Sequence, residues 1–191
     1  KFQEVNKMTE EAIFAGFGGQ GILSMGMILA YSGMMEGKEV CWMPSYGPEM
    51  RGGTANAITI VSDALISSPI ISTFDTVVAL NQPSVDKFEA KVKPNGVLIY
   101  DKTNILKPPT RKDINVYGIP ASEEAVKLKN MRVLNMVVLG AFISARKTVK
   151  PETVFEALKK VLPERYHHLI PLNQKAFEVG MSLVQGNEVK A

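Results

Sequence analysis

A three-layer α/β/α sandwich is the fold class this sequence predicts, and three observations predict it. Short apolar runs alternate with helical patterns through most of the chain. A glycine-rich turn joins the first run to the first helical pattern. Residues 75–80 carry a continuous apolar run, Val77 to Leu80, rather than an alternating pattern, as in a strand buried on both faces of a parallel sheet.

Each element has its own signal. Residues 12–15 are an apolar strand, and residues 20–36, rich in Met, Leu and Ile on nearly every side, form a helix packed deeply on the sheet and stopped by Gly37. A second strand covers 39–43 and ends at Pro44; residues 55–61 alternate and make a third. After the strand at 75–80, Pro83 opens a short helix over 83–90. Residues 93–96 read as a turn, with buried strands at 97–100 and 114–117. From Ser122 the pattern is helical: Ser122 caps a segment to Lys129, residues 133–146 are apolar on most faces, Pro151 opens a helix that Pro163 closes, and 169–183 is amphipathic. The sheet is thus mainly parallel and Rossmann-like, with a helical C-terminal third.

The 191 residues, 46% apolar and 21% charged, suffice for one core, read as a single domain over 8–191. Met8 is a candidate start, with residues 1–7 an added remnant or a disordered N-terminus. The 22 basic and 19 acidic residues are interspersed, leaving no basic stripe for nucleic acid. Residues 21–35, the longest apolar tract, are broken by Ser24 and Ser32 and fall short of the roughly 20 residues that span a bilayer. A soluble cytoplasmic protein is expected. Cys41 is the only cysteine, so the chain can form no internal disulfide and cannot supply the thiolates of an iron–sulfur cluster.

Gly16, Gly18 and Gly21 satisfy G-x-G-x-x-G between a strand and a helix, where glycines let backbone amides and the positive helix end approach an anion. The same glycines would equally serve a tight turn and close helix–sheet packing alone. Gly19 and Gln20 depart from the dinucleotide fingerprint, and the end of the second strand reads Cys41-Trp42-Met43-Pro44 where a ribose-binding carboxylate would stand. A second loop sets Ser45, Tyr46, Glu49 and Arg51 among Gly47, Gly52 and Gly53; Arg51 offers a planar fork for phosphate or carboxylate, and Glu49 can orient it. These loops, with Asn81, Gln82 and residues 101–104, all follow strand ends, so a parallel sheet would gather them on one rim. His167 and His168 read as ordinary surface or interface residues. Ser84-x-x-Lys87 reads as a helix start, and the ten methionines as core fillers, with a partner-facing role as the alternative.

Taken together, residues 16–21 and 45–56, with Asn81-Gln82-Pro83-Ser84 and Asp86-Lys87-Phe88, resemble the gamma subunit of 2-oxoacid:ferredoxin oxidoreductases, most of all the 2-oxoglutarate type. The resemblance implies a subunit without catalytic residues or a metal of its own. The complex would convert a 2-oxoacid, coenzyme A and oxidised ferredoxin to acyl-CoA, CO2 and reduced ferredoxin. Thiamine diphosphate, magnesium and iron–sulfur clusters would reside on the alpha, beta and delta subunits, and the two glycine-rich loops would either hold coenzyme A at the interface or dock on a neighbouring subunit through Glu49 and Arg51. Two alternatives stay open: a stand-alone dinucleotide-binding oxidoreductase, and an assembly subunit that binds no ligand.

Overall fold

The computed structural model describes residues 8–46 and 54–185. The expectations placed on residues 1–7 and on Gly47, Glu49, Arg51, Gly52 and Gly53 lie outside the described residues.

The described elements are β1 (Thr9–Phe17), α1 (Ile22–Met35), β2 (Glu39–Tyr46), β3 (Thr54–Ser62), β4 (Phe74–Ala79), α2 (Gln82–Phe88), β5 (Val92–Asp101), β6 (Asn115–Ile119), α3 (Ala121–Lys127), α4 (Leu134–Arg146), α5 (Pro151–Val161) and α6 (Ile170–Gln185). They build one six-stranded sheet in the order β2-β3-β1-β4-β5-β6. β1, β4, β5 and β6 run parallel. β3 lies antiparallel to both β1 and β2, which leaves β2 pointing the same way as β1. The sheet is therefore mainly parallel in sense, with one reversed strand inserted beside β1.

The three layers are unequal. Ala12 and Phe14 of β1 point into the larger core, with Met25 and Leu29 of α1, Val137 and Phe142 of α4, Leu158 of α5 and Phe177 of α6. The rings of Phe14 and Phe142 are 5.4 Å apart, and those of Phe155 and Phe177 5.2 Å, at tilted or edge-on angles that aromatic pairs favour. Ile13 and Ala15, one residue out of phase, reach the opposite face, where Val85 and Phe88 of α2 cover Val77 and Leu98.

Three boundaries differ from the expectation. β2 does not stop at Pro44 but continues to Tyr46, with Pro44 opposite Ala57; β2 is an edge strand, where a missing N–H is tolerated. The expected turn at 93–96 is absorbed into β5 as an irregularity, marked by a register shift between Phe74 and Thr76 and a φ of 61° at Asn95. Ser122 does not cap a helix. It sits in the first turn of α3, and its hydroxyl donates to the Asp101 carboxylate.

The base of the sheet, opposite the strand ends, is fastened by charge. Glu10 is 1% exposed and accepts hydrogen bonds from Thr76 (2.5 Å) and Arg146 (2.8 Å). Burial holds its carboxyl above the ordinary value, with Thr76 and Arg146 only partly offsetting that cost. Beside it, Lys93 bridges Glu11 (2.6 Å) and Asp75 (2.8 Å).

Two outcomes follow from this packing. α4 and α6 cross so closely that a β-carbon at Gly180 would lie 1.8 Å from the Val137 carbonyl oxygen and one at Gly140 2.0 Å from that of Phe177. Gly180→Ala should cost about 3 kcal/mol or more in urea unfolding, since rigid backbone cannot yield; a loss below about 1 kcal/mol would contradict this contact. Because the folded state raises the Glu10 pKa, the stability tied to its proton is present below about pH 4.5 and lost as pH rises through the folded value. Wild type should therefore lose stability relative to Glu10→Gln as pH is raised from 4 toward 7, and a constant difference across that range would refute it.

Candidate functional site

The strand registers bring the glycine turn and the second loop's anchors to one rim. Phe17, the last residue of β1, pairs with Thr54, and Tyr46, the last of β2, pairs with Ala55. Ala15 pairs with Ala79 at the end of β4, and Asp101 ends β5 opposite Ile119. Gly16, Gly18, Gly19, Gln20, Gly21, Ser45, Tyr46, Asn81 and Gln82 thus share one end of the sheet.

Within the turn, Gly19 and Gly21 have φ of 98° and 76°, the left-handed region that side chains disfavour. Gln20 ties the turn together. Its Oε1 accepts from the Phe17 amide at 2.7 Å and its Nε2 donates to the Leu80 carbonyl at 3.3 Å, joining the ends of β1 and β4. Gly16 has a different task from the other glycines. It sits in the β1–β3 ladder opposite Ala55, and a β-carbon there would meet Gln20 Oε1 at 2.5 Å and Ile22 Cδ1 at 2.8 Å, so it makes room for the Gln20 tie.

Gly21 begins α1 with no side-chain cap and no acidic residue in the first turn. The leading amides of a helix have no partner within it and carry the positive end of its dipole. The first turn of α1 lines a cleft of about 520 Å³ with Phe17, Gly18, Gly19 and Ala55. An anionic group there would meet backbone donors and no opposing carboxylate from the first turn.

Asn81 and Gln82 perform local structural work on this rim. Asn81 Oδ1 caps α2 by accepting from the Ser84 amide at 2.9 Å, while its Nδ2 is buried without a partner. Gln82 grips the backbone of Lys107 from both sides, accepting from its amide at 2.9 Å and donating to its carbonyl at 3.1 Å. Asp101 is fully buried and accepts from Thr103, Asn104 and Ser122, which sews the β5 end to α3.

A second cleft, about 350 Å³, shares Gly19, Gly21 and Ser24 with the first and is walled by Arg132, Asn135, Tyr166 and Asn173. Sequence reasoning missed it because its walls come from three stretches far apart in the chain, 19–28, 130–135 and 158–173. The one available signal was Asn135, an amide in an otherwise apolar helix: its side chain lies over Gly21, where a β-carbon would be 2.7 Å away.

The remaining candidates separate. His167 sits on a 3₁₀ turn with Nε2 2.9 Å from the Leu162 carbonyl, outside any cluster of ligands. Met25 is core, whereas Met34 and Met35 are exposed. Among the described residues no group of three or more His, Cys, Asp or Glu could hold a metal ion, and no helix is long and apolar enough to cross a membrane.

A family model for pyruvate ferredoxin/flavodoxin oxidoreductase matches residues 11–183. The chain belongs to this family, and its likeness within it is to gamma subunits. The ketoisovalerate oxidoreductase subunit VorA of Methanothermobacter thermautotrophicus is 37% identical over 91% of this chain, which spans only 36% of that relative's length. The gamma subunit of a keto/oxoacid ferredoxin oxidoreductase from Geobacter sulfurreducens superposes with a TM-score of 0.80 at 30% identity, covering 94% of this chain and 98% of that one. A 2-oxoglutarate:ferredoxin oxidoreductase from Magnetococcus marinus, with 2-oxoglutarate, coenzyme A and succinyl-CoA bound, superposes with a TM-score of 0.85 at 27% identity over 93% of this chain and 31% of that one.

The Gln20 tie can be tested directly. Gln20→Ala should cost about 1 kcal/mol of stability and release the Phe17 amide to faster hydrogen exchange, with the β4 ladder unchanged. Unaltered Phe17 exchange would show that the carboxamide does not order the turn.

Proposed function

We propose that this chain is the gamma subunit of a multi-subunit enzyme in which other chains decarboxylate a 2-oxoacid on thiamine diphosphate with magnesium and pass electrons through iron–sulfur clusters to ferredoxin. The alpha, beta and delta subunits are its partners, and this chain supplies part of the coenzyme A site. Cys41 as the single cysteine is consistent with clusters held elsewhere.

The observation that carries the reading is the uncapped, carboxylate-free first turn of α1 opening on the rim cleft. Gly18, Gly19, Gly21 and the first amides of α1 would cradle a phosphate of coenzyme A, Arg51 would add a bidentate grip from the second loop, and Gln20 would hold the cradle in shape. Cleavage chemistry then needs nothing from this chain. Its contribution is to hold the acyl acceptor so that its thiol reaches the acyl group formed on a neighbouring subunit.

A dinucleotide enzyme is disfavoured by topology as well as by the missing ribose carboxylate. The strand after α1 would have to lie next to β1, but β3 stands between them and moves the end of β2 about 10 Å away. One observation favours subunit docking as a second role for the rim: Phe17, Leu106, Val126 and Met131 are all exposed apolar side chains.

For the substrate, the motif resemblance favours 2-oxoglutarate, and a ketoisovalerate relative supports the branched-chain acid. Initial rates of coenzyme A-dependent ferredoxin reduction by the assembled enzyme with 2-oxoglutarate, pyruvate and ketoisovalerate should show the highest kcat/KM for 2-oxoglutarate. In the same assay Arg51→Ala should raise the KM for coenzyme A roughly tenfold and leave the KM for the 2-oxoacid unchanged. Dissociation of the complex, with normal coenzyme A affinity in what remains assembled, would instead assign Arg51 to docking.

A further inference from the structure

The second cleft, on the far side of the glycine turn, has chemistry of its own that the reading above leaves unused. Arg132 is the distinguishing group. Of the described arginines, Arg111 pairs with Asp113, Arg146 with Glu10, and Arg165 stacks 4.9 Å over the Tyr166 ring. Arg132 alone among them has neither an ion pair nor a ring. Its backbone is nonetheless fixed, because Asn130 Oδ1 accepts from the Arg132 amide at 3.0 Å and caps the 3₁₀ turn that carries it. A guanidinium on an anchored base, beside a cleft and without an acceptor, is suited to an oxyanion from outside the chain.

The cleft holds a second unsatisfied group. Asn135 Oδ1 is buried with no hydrogen-bond partner, a state that costs free energy unless a donor arrives. Tyr166 supplies an aromatic wall. An acceptor, an aromatic wall and a cation together are complementary to an aminated aromatic base carrying a sugar phosphate.

Continuity with the first cleft selects the occupant. The two clefts share Gly19, Gly21 and Ser24, so a ligand whose central phosphates lie on that shared wall extends one arm into each. The first cleft, walled by Phe17, Ile22, Leu23 and Ala55, is lined by no charged side chain and suits an aliphatic amide arm, whereas the second adds Arg132 to its apolar walls. Building on the coenzyme A reading of the first cleft, we propose that the second cleft receives the nucleoside end of the same molecule. Arg132 grips its ribose phosphate, and Asn135 Oδ1 accepts from the amino group of its base. Arg132 is then a specificity-determining residue that separates coenzyme A from its analogue lacking the ribose 3′-phosphate.

The experiment compares coenzyme A with 3′-dephospho-coenzyme A as acyl acceptors for the assembled enzyme. Wild type is expected to show a KM about tenfold or more lower for coenzyme A. Arg132→Ala should raise the KM for coenzyme A to that of the dephospho analogue, leave the analogue's KM and both kcat values unchanged, and bring the ratio of the two KM values to about one. Arg132→Lys, which keeps the charge and loses the fork, should restore part of the ratio and guards against a folding defect. Asn135→Ala should raise both KM values together. A wild-type ratio in Arg132→Ala, with Arg51→Ala still raising the KM for coenzyme A, overturns this inference and leaves the first-cleft reading intact. If neither variant changes either KM, the first-cleft reading fails and this inference with it.

Discussion

The antiparallel pairing of β1 with β3 along nine residues is the constraint on which the rest of this molecule depends. Because β3 is reversed, β2 returns beside it pointing the same way as β1. The segment between β2 and β3 therefore leaves the sheet at the same level as the glycine turn after β1. In a uniform right-handed parallel crossover the second strand would lie against the first and its end would face a bound ribose. Here that position belongs to the start of β3, which brings the strand ends flanking the second loop, Tyr46 and Thr54, to the level of the glycine turn.

The two ends of the sheet are chemically opposite. At the base, Glu10 with Arg146 and Lys93 with Glu11 and Asp75 neutralise one another, anchoring α4 and β5 to β1. At the rim the ties are mainly carboxamides: Gln20 between β1 and β4, Asn81 on α2, Gln82 on the loop after β5. Such ties set loop shape without placing a negative charge beside the α1 amides. Asp101, the rim's buried carboxylate, is occupied by Ser122, Asn104 and Thr103 and serves to join β5 to α3.

Much of the architecture was legible in the sequence because each element carries a local signal. The run at 75–80, the proline at 151 and the glycines at 16–21 gave strand, helix start and turn without tertiary help. What stayed hidden was set by partners distant in sequence. The sense of β3 is fixed by its pairing with β1 and β2, which alternation alone does not encode, and the bulge at 93–96 follows from the registry of β5 on β4. At the site, the glycine turn was visible as a motif, but the separate duties of its glycines were not. Gly16 makes space for Gln20, Gly19 and Gly21 supply backbone conformation, and Asn135 packs on Gly21 from α4, far along the chain. The second cleft was invisible for the same reason.

The central claim is that the glycine turn and the first turn of α1 form a phosphate-binding rim that completes a coenzyme A site in a larger enzyme. Hydrogen-exchange mass spectrometry of the assembled enzyme, with and without saturating coenzyme A, tests it most directly. The expected result is slowed exchange confined to residues 17–25 and to the peptides flanking the second glycine-rich loop, with the base of the sheet unchanged. Coenzyme A-dependent protection that leaves residues 17–25 untouched would contradict the account.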